Sequence, residues 1–283
     1  MLKTKKINRS LWGSILIFLL ILILGIFMAL PLVYTVINAF KPVNELFLFP
    51  PRFFIKNPTT DNFTQMFELA GNLWVPFYRY LFNSVFVTAT GTTVYIIIAS
   101  LAAYPLAKHK FPGSAIFFQI IVWAILFRPE VTGVPMYVIL AKLQLVNTYF
   151  ALILPALAGT FGVFLMRQFM TSFPDTVIEA AKIDGYNDFG IFLHVVMPNM
   201  KTAVITLVIF TFLSFWNTTG MNFIYDERLK LLPSVLSQIS LGGVARAGAG
   251  SAVGLFLMIP PVILFVAGQS AVLETMTFSG IKE

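Results

Sequence analysis

Charge-free runs divide this chain into long apolar segments joined by short polar ones. Five runs contain no Asp, Glu, Lys or Arg: residues 10–40, 81–107, 143–166, 202–225 and 247–273. Each is long enough for a membrane-crossing helix, which needs about 20 apolar residues. A sixth apolar segment, 111–127, meets Arg128-Pro129-Glu130 before apolar residues resume over 131–141. It reads as one span, 111–141, with a break or an extended outer end. Uninterrupted runs of this length predict helices, not the alternating segments of a lipid-facing barrel. The pattern therefore predicts an all-α membrane protein. Its six transmembrane helices fall at 11–40, 81–107, 111–141, 143–166, 202–225 and 247–273.

Composition agrees with lipid as the solvent. Of 283 residues, 58% are hydrophobic and 11% charged, against about 25% charged in a soluble domain. Without cysteine there is neither a disulfide frame nor a thiolate metal site. His109 and His194 lack ligand-like spacing, so no metal is expected. The net charge of +7 sits in tails and loops, which reads as membrane orientation and not as nucleic-acid binding. Lys3, Lys5, Lys6 and Arg9 mark the 1–10 tail as cytoplasmic. Six spans then return the C-terminus to the same side. Lys108, Lys110, Arg167, Lys182 and Lys201 fall inside with it. The first run is far longer than the about 7–15 apolar residues of a signal peptide. Outside, segment 41–80 carries Pro42, Pro50, Pro51, Pro58 and Pro76 and predicts a partly ordered cap; a second outer loop covers 226–246.

The most hydrophilic structured segment lies between the fourth and fifth spans, at 167–201. It contains Glu179-Ala180-Ala181, then Gly185, then Pro198, and reads as two short helices. Pro174 suits a first helical turn, and Asp175 puts negative charge at the positive end of the helix dipole. Gly185 can take the left-handed conformation that ends a helix. Asn187 or Asp188 can cap the next helix, and Pro198 would stop it. A short helical elbow on a membrane bundle suits docking to a soluble partner. Val177, Ala180, Ala181 and Asp184 fall near one face. There the small alanines let a partner backbone approach, while Glu179 pairs with a base of the partner or of this chain. An ordinary elbow packed on its own helices is the alternative.

This spacing resembles the cytoplasmic loop of ATP-binding-cassette importer permeases, although Val195 and Met197 stand where that family usually has Ile and Leu. The chain is similar to the carbohydrate branch, and there to the second permease of maltose-type or oligosaccharide importers. Asp184 before Gly185 resembles that branch specifically. The resemblance extends from about Asn83 to the C-terminus through Leu101-Ala102-Ala103-Tyr104-Pro105-Leu106-Ala107, Asn147-Thr148-Tyr149, Leu152-Ile153-Leu154-Pro155 and Trp216-Asn217. It implies the type I importer permease fold, with a core domain over 81–275. It also implies a heteromeric complex in a bacterial cytoplasmic (inner) membrane. The partners would be a second homologous permease, two ATPase subunits and an extracytoplasmic sugar-binding protein. Glu179, Ala180, Ala181, Asp184 and Gly185 would couple the chain to the ATPase. No phosphate-cradling loop is present, so ATP and Mg act in the partner and this chain binds no cofactor and is not an enzyme. Glycerol-phosphate, polyol or polysaccharide-fragment transport keeps the class. An ion-coupled secondary transporter would instead require paired intramembrane carboxylates and an inverted repeat.

Three further groups invite functional readings. Arg128 and Glu130 are charges inside a span, so they line a pathway or pair locally at headgroup level. Trp216 and Asn217 offer an aromatic face and an amide for a sugar, or simply knit helices together. Asn83, Ser84, Thr88 and Thr92 read as helix packing, and Gly91 permits close helix approach. The glycine-rich segment with Gly242, Gly243, Arg246 and Gly248 resembles the loop that contacts the binding protein in maltose-type importers; the alternative is a flexible connection.

Overall fold

The computed structural model describes residues 11–50, 52–72, 75–127, 129–243 and 246–280; of residues 11, 129, 130, 271 and 273–280 it describes the backbone alone. The described residues contain helices and no strand. The chain forms two compact units, Met1–Leu69 with Ile239–Phe256, and Ala70–Gln238 with Leu257–Glu283.

The first unit begins with α1 (Leu11–Ala39), whose long side chains are exposed along its length, as lipid contact requires. Then come α2 (Val43–Leu46) and α3 (Asp61–Gly71), which bring order to the front of the proline-rich cap. Lys41 is buried and donates to the Arg52 carbonyl at 2.6 Å. Buried Glu45 accepts the Lys56 and Asn57 N–H groups. The Asn62 amide donates to the Ala39 and Lys41 carbonyls.

The second unit is built on α4 (Phe77–Lys108). After it come α5 (Ser114–Ala124), α6 (Pro129–Lys142), α7 (Phe150–Leu157), α8 (Thr160–Thr171), α9 (Asp175–Ile183), α10 (Asp188–Ile191), a π-helical turn Phe192–Val196, α11 (Met197–Asn199) and α12 (Lys201–Trp216). A 3₁₀ turn, Glu227–Leu229, precedes α13 (Leu232–Ser240) and α14 (Ala247–Gly280). Helix α4 packs against α8, α12 and α7. Gly91 admits α12: a Cβ there would lie 2.4 Å from Phe215 Cζ.

By length and composition, three described helices can cross a membrane, or up to five if each bent pair counts as one span. The apolar runs misplace several ends. Segment 111–141 has the break expected of it, between two shorter helices, α5 and α6. Expected span 143–166 bends by 41° between α7 and α8. Pro155 and Gly159 flank that break, and Tyr95 fills it: its hydroxyl accepts the Gly162 N–H at 2.7 Å and donates to the Gly159 carbonyl at 3.0 Å. A side chain thus satisfies backbone groups that the break frees within an apolar run. Expected span 202–225 stops being helical at Trp216, where Gly220 turns the chain at φ +67°. The 226–246 loop contains α13, which an unbroken loop reading misses.

Candidate functional site

The hydrophilic segment folds as the expected pair of short helices. Pro174 is not in the first turn; it is the extended N-cap residue, and Asp175 opens α9. The end of α9 satisfies its carbonyls through two bonds, Gly185 N–H to Lys182 and Tyr186 N–H to Ala181, each 3.1 Å. That pairing requires the left-handed residue that Gly185 supplies at φ +85°. Asn187 caps the next helix, its Oδ1 accepting the Gly190 N–H at 2.7 Å. Lys182 reaches back to Asp188 at 3.3 Å, an exposed pair across the elbow. Pro198 does not stop the helix where it stands. It lacks an N–H for the His194 carbonyl, and the widened turn Phe192–Val196 lies immediately before it. The chain then bends by 80° into α12.

One face of this elbow is sealed into the second unit. Ile178 and Ala181 of α9 join Ile191, Phe192 and Val196 in a core with Tyr104, Met166, Met170 and Leu207. Ala181 therefore faces the chain's own interior, which corrects the expectation that both alanines present themselves to a partner. Glu179, Ala180, Asp184 and Gly185 are exposed. Among the described residues, Glu179 has no ion-pair partner. The outward surface also carries large apolar side chains: Ile183 is 87% exposed and Phe189 62%, with Val177, Tyr186 and Leu193 beside them in the sequence. Sequence reasoning placed Val177 on the docking face but missed Ile183, Tyr186, Phe189 and Leu193. The signal was an isoleucine and a phenylalanine next to Asp184 and Asp188, in the most polar segment of the chain.

At the root of the elbow Lys108 donates to Asp175 Oδ1 at 2.6 Å. This bond, and then the ammonium charge, hold the Asp175 carboxyl below the usual carboxylate range.

The other candidates are dispersed. Trp216 is buried and its indole N–H donates to the Leu257 carbonyl at 3.0 Å, so its polar atom serves helix packing. Asn217 is exposed and its amide donates to the Leu213 carbonyl. Arg128 lies outside the described residues, as does the Glu130 side chain. Gly243 turns at φ +72°, and Gly242 packs on the Arg246 side chain. A Cβ at Gly248 would lie 2.1 Å from Asn62 Oδ1, so that glycine is needed for packing. Among the described residues no group of His, Cys, Asp and Glu could hold a metal ion.

Comparison with known proteins gives the elbow its context. No family model matches the chain. It is 30% identical over 261 residues to the polygalacturonan/rhamnogalacturonan transport system permease protein YtcP of Bacillus subtilis, covering 88% of this chain and 86% of that one. It is 29% identical over 264 residues to the arabinooligosaccharides transport system permease protein AraQ of Halalkalibacterium halodurans, covering 89% and 90%. The sn-glycerol-3-phosphate transport system permease protein UgpE of Salmonella typhi is 30% identical over 220 residues, covering 74% and 78%. A solved bacterial ABC transporter that imports the acidic polysaccharide alginate shares the fold, with TM-score 0.76 and 21% identity over 93% of this chain and 98% of that one. The chain belongs to the ABC transporter permeases.

Proposed function

We propose that this permease is one of two transmembrane subunits of a carbohydrate importer, taking oligosaccharides or polysaccharide fragments. A second, homologous permease completes the pathway, and an extracytoplasmic binding protein delivers the sugar. Two ATPase subunits dock at the elbow, on the cytoplasmic side with both termini. ATP and Mg act in those subunits, and this chain makes and breaks no covalent bond. The observation that carries the reading is the exposed apolar surface on a rigid elbow in the most polar part of the chain. Most of the Ile183 side chain and the larger part of Phe189 stand in the open there, and a docked subunit would remove them from water. Exposed Glu179 pairs with a base of that subunit, and Gly185 fixes the turn. Nucleotide binding shifts the ATPase dimer between two arrangements, and the permease follows as a change in population.

The test is purification of the complex from its native membrane with Ile183→Asp and Phe189→Asp introduced together. The ATPase should fall at least tenfold relative to the second permease, with thermal stability of the permease unchanged. An unchanged ratio would sink the docking assignment.

A further inference from the structure

Two cations cross between the helix ends beneath the elbow, each serving the terminus of the other's helix. Lys108 is the last residue of α4, yet its ammonium donates to the Phe173 carbonyl, beyond the end of α8, and to Asp175 at the start of α9. Its side chain is only 6% exposed, although Asp175 is 76% exposed. Arg167 belongs to α8, yet its Nε donates at 3.1 Å to the Leu106 carbonyl in the last turn of α4. The guanidinium lies 3.6 Å from the centre of the Phe118 ring, which brings in α5. The Leu106 carbonyl lies in the last turn of α4, where carbonyls lack intrahelical donors and carry the negative end of the dipole, so the Arg167 contact is favourable. The exchange ties α4, α5 and α8 together, and through Asp175 it fastens α9 to them.

Hydrophobic packing holds α9 through two buried residues, Ile178 and Ala181. A nearly buried ammonium held by two oxygens is directional, and moving α9 without α4 would strand it. We propose that Lys108 and Arg167 are positioning residues of transport. They turn displacement of α9 by a docked ATPase into displacement of α4 and α8. This inference rests on the docking reading above and adds the route by which the motion enters the membrane helices.

The experiment uses the whole complex purified from its native membrane, reconstituted with the co-purifying binding protein, and reads ATP hydrolysis. Stimulation by the binding protein must pass through the spans to reach the ATPase. In Lys108→Met the subunits should still co-purify, while the stimulation falls at least fivefold towards none. Lys108→Arg should restore most of it. Asp175→Asn, which leaves the lysine in place, should lower it about twofold. A merely structural lysine would change the yield of complex and leave the stimulation ratio alone. Full stimulation in both Lys108→Met and Asp175→Asn overturns the inference and leaves the docking surface standing. An unaltered complex with no ATPase subunit overturns both.

Discussion

The two ends of the second unit are held in opposite ways. At the end remote from the elbow, polar side chains meet each other's needs within the chain. Asn83, fully buried, donates to the Arg228 and Lys230 carbonyls at 2.9 Å each and accepts the Tyr149 hydroxyl at 2.6 Å. Asn147 sits at φ +65° and accepts the Tyr225 and Asp226 N–H groups. Ser84 accepts the Leu232 N–H, and Tyr80 donates to Glu227. At the elbow end one face is packed into the core and cation contacts tie the root, while on the other face large apolar side chains are left facing outward. A region that completes its own hydrogen bonds is built to hold one shape. A region that leaves isoleucine and phenylalanine in water is built to be completed by another molecule.

Removing Asn83 should break this contrast most severely. Asn83→Leu deletes three hydrogen bonds at a buried site and strands two carbonyls and a hydroxyl, at a cost of about 3 kcal/mol. The measurement is thermal unfolding of the detergent-solubilised chain, and a midpoint equal to that of the unaltered protein would show that the far end is not self-sufficient. Asn147 should matter less. Asn147→Ala loses two accepted N–H groups and places an alanine at positive φ, costing about 2 kcal/mol, whereas Asn147→Gly recovers the backbone part, roughly 1 kcal/mol. Equal losses in the two variants would remove the backbone strain from the account.

The smallest effect sharpens the elbow side. The carboxyl of Asp175 is held below its ordinary value by Lys108, so its tie is fully present above the unfolded carboxylate value of about 3.9. It is lost only as pH falls through the lower folded value. Between pH 5 and 8 the unaltered protein and Asp175→Asn should therefore show parallel stability profiles. Any divergence belongs below pH 4. A divergence near neutrality would mean that another group controls the tie.

Much of the elbow was legible in the sequence because its signals are local. Gly185 at a helix end and Asn187 as a cap are decided by their nearest neighbours, and both fall where the spacing puts them. Gly91 was legible as a site of close helix approach, although its partner, Phe215 of α12, was not. Non-local features were not legible. Ala181 and Ala180 are the same residue type one position apart, and only the presence of Met166 and Tyr104 nearby makes one inward and the other outward. Helix breaks inside apolar runs escaped for a related reason. A charge-free run continues across Gly159 whether or not the helix does, and Tyr95, which completes that break, lies 64 residues away. Pro155 and Gly159 were the available signals. Trp216 read equally well as a sugar platform or as a packing group, and the Leu257 carbonyl that takes its N–H is remote in sequence.

The widened turn Phe192–Val196 bears on how this elbow can change length over evolutionary time. A π turn holds one residue more than the α-helical turn it replaces. Five residues of a π turn sweep nearly the same angle as four of an α-helix, so deleting a single residue there would return the segment to an ordinary helix and leave the residues on either side, Phe189 among them, facing as before. Inside α9 the same deletion would rotate what precedes it by about 100° and turn Ile178 off the core. Descendants of this chain should therefore change in length at 192–196 more readily than within α9.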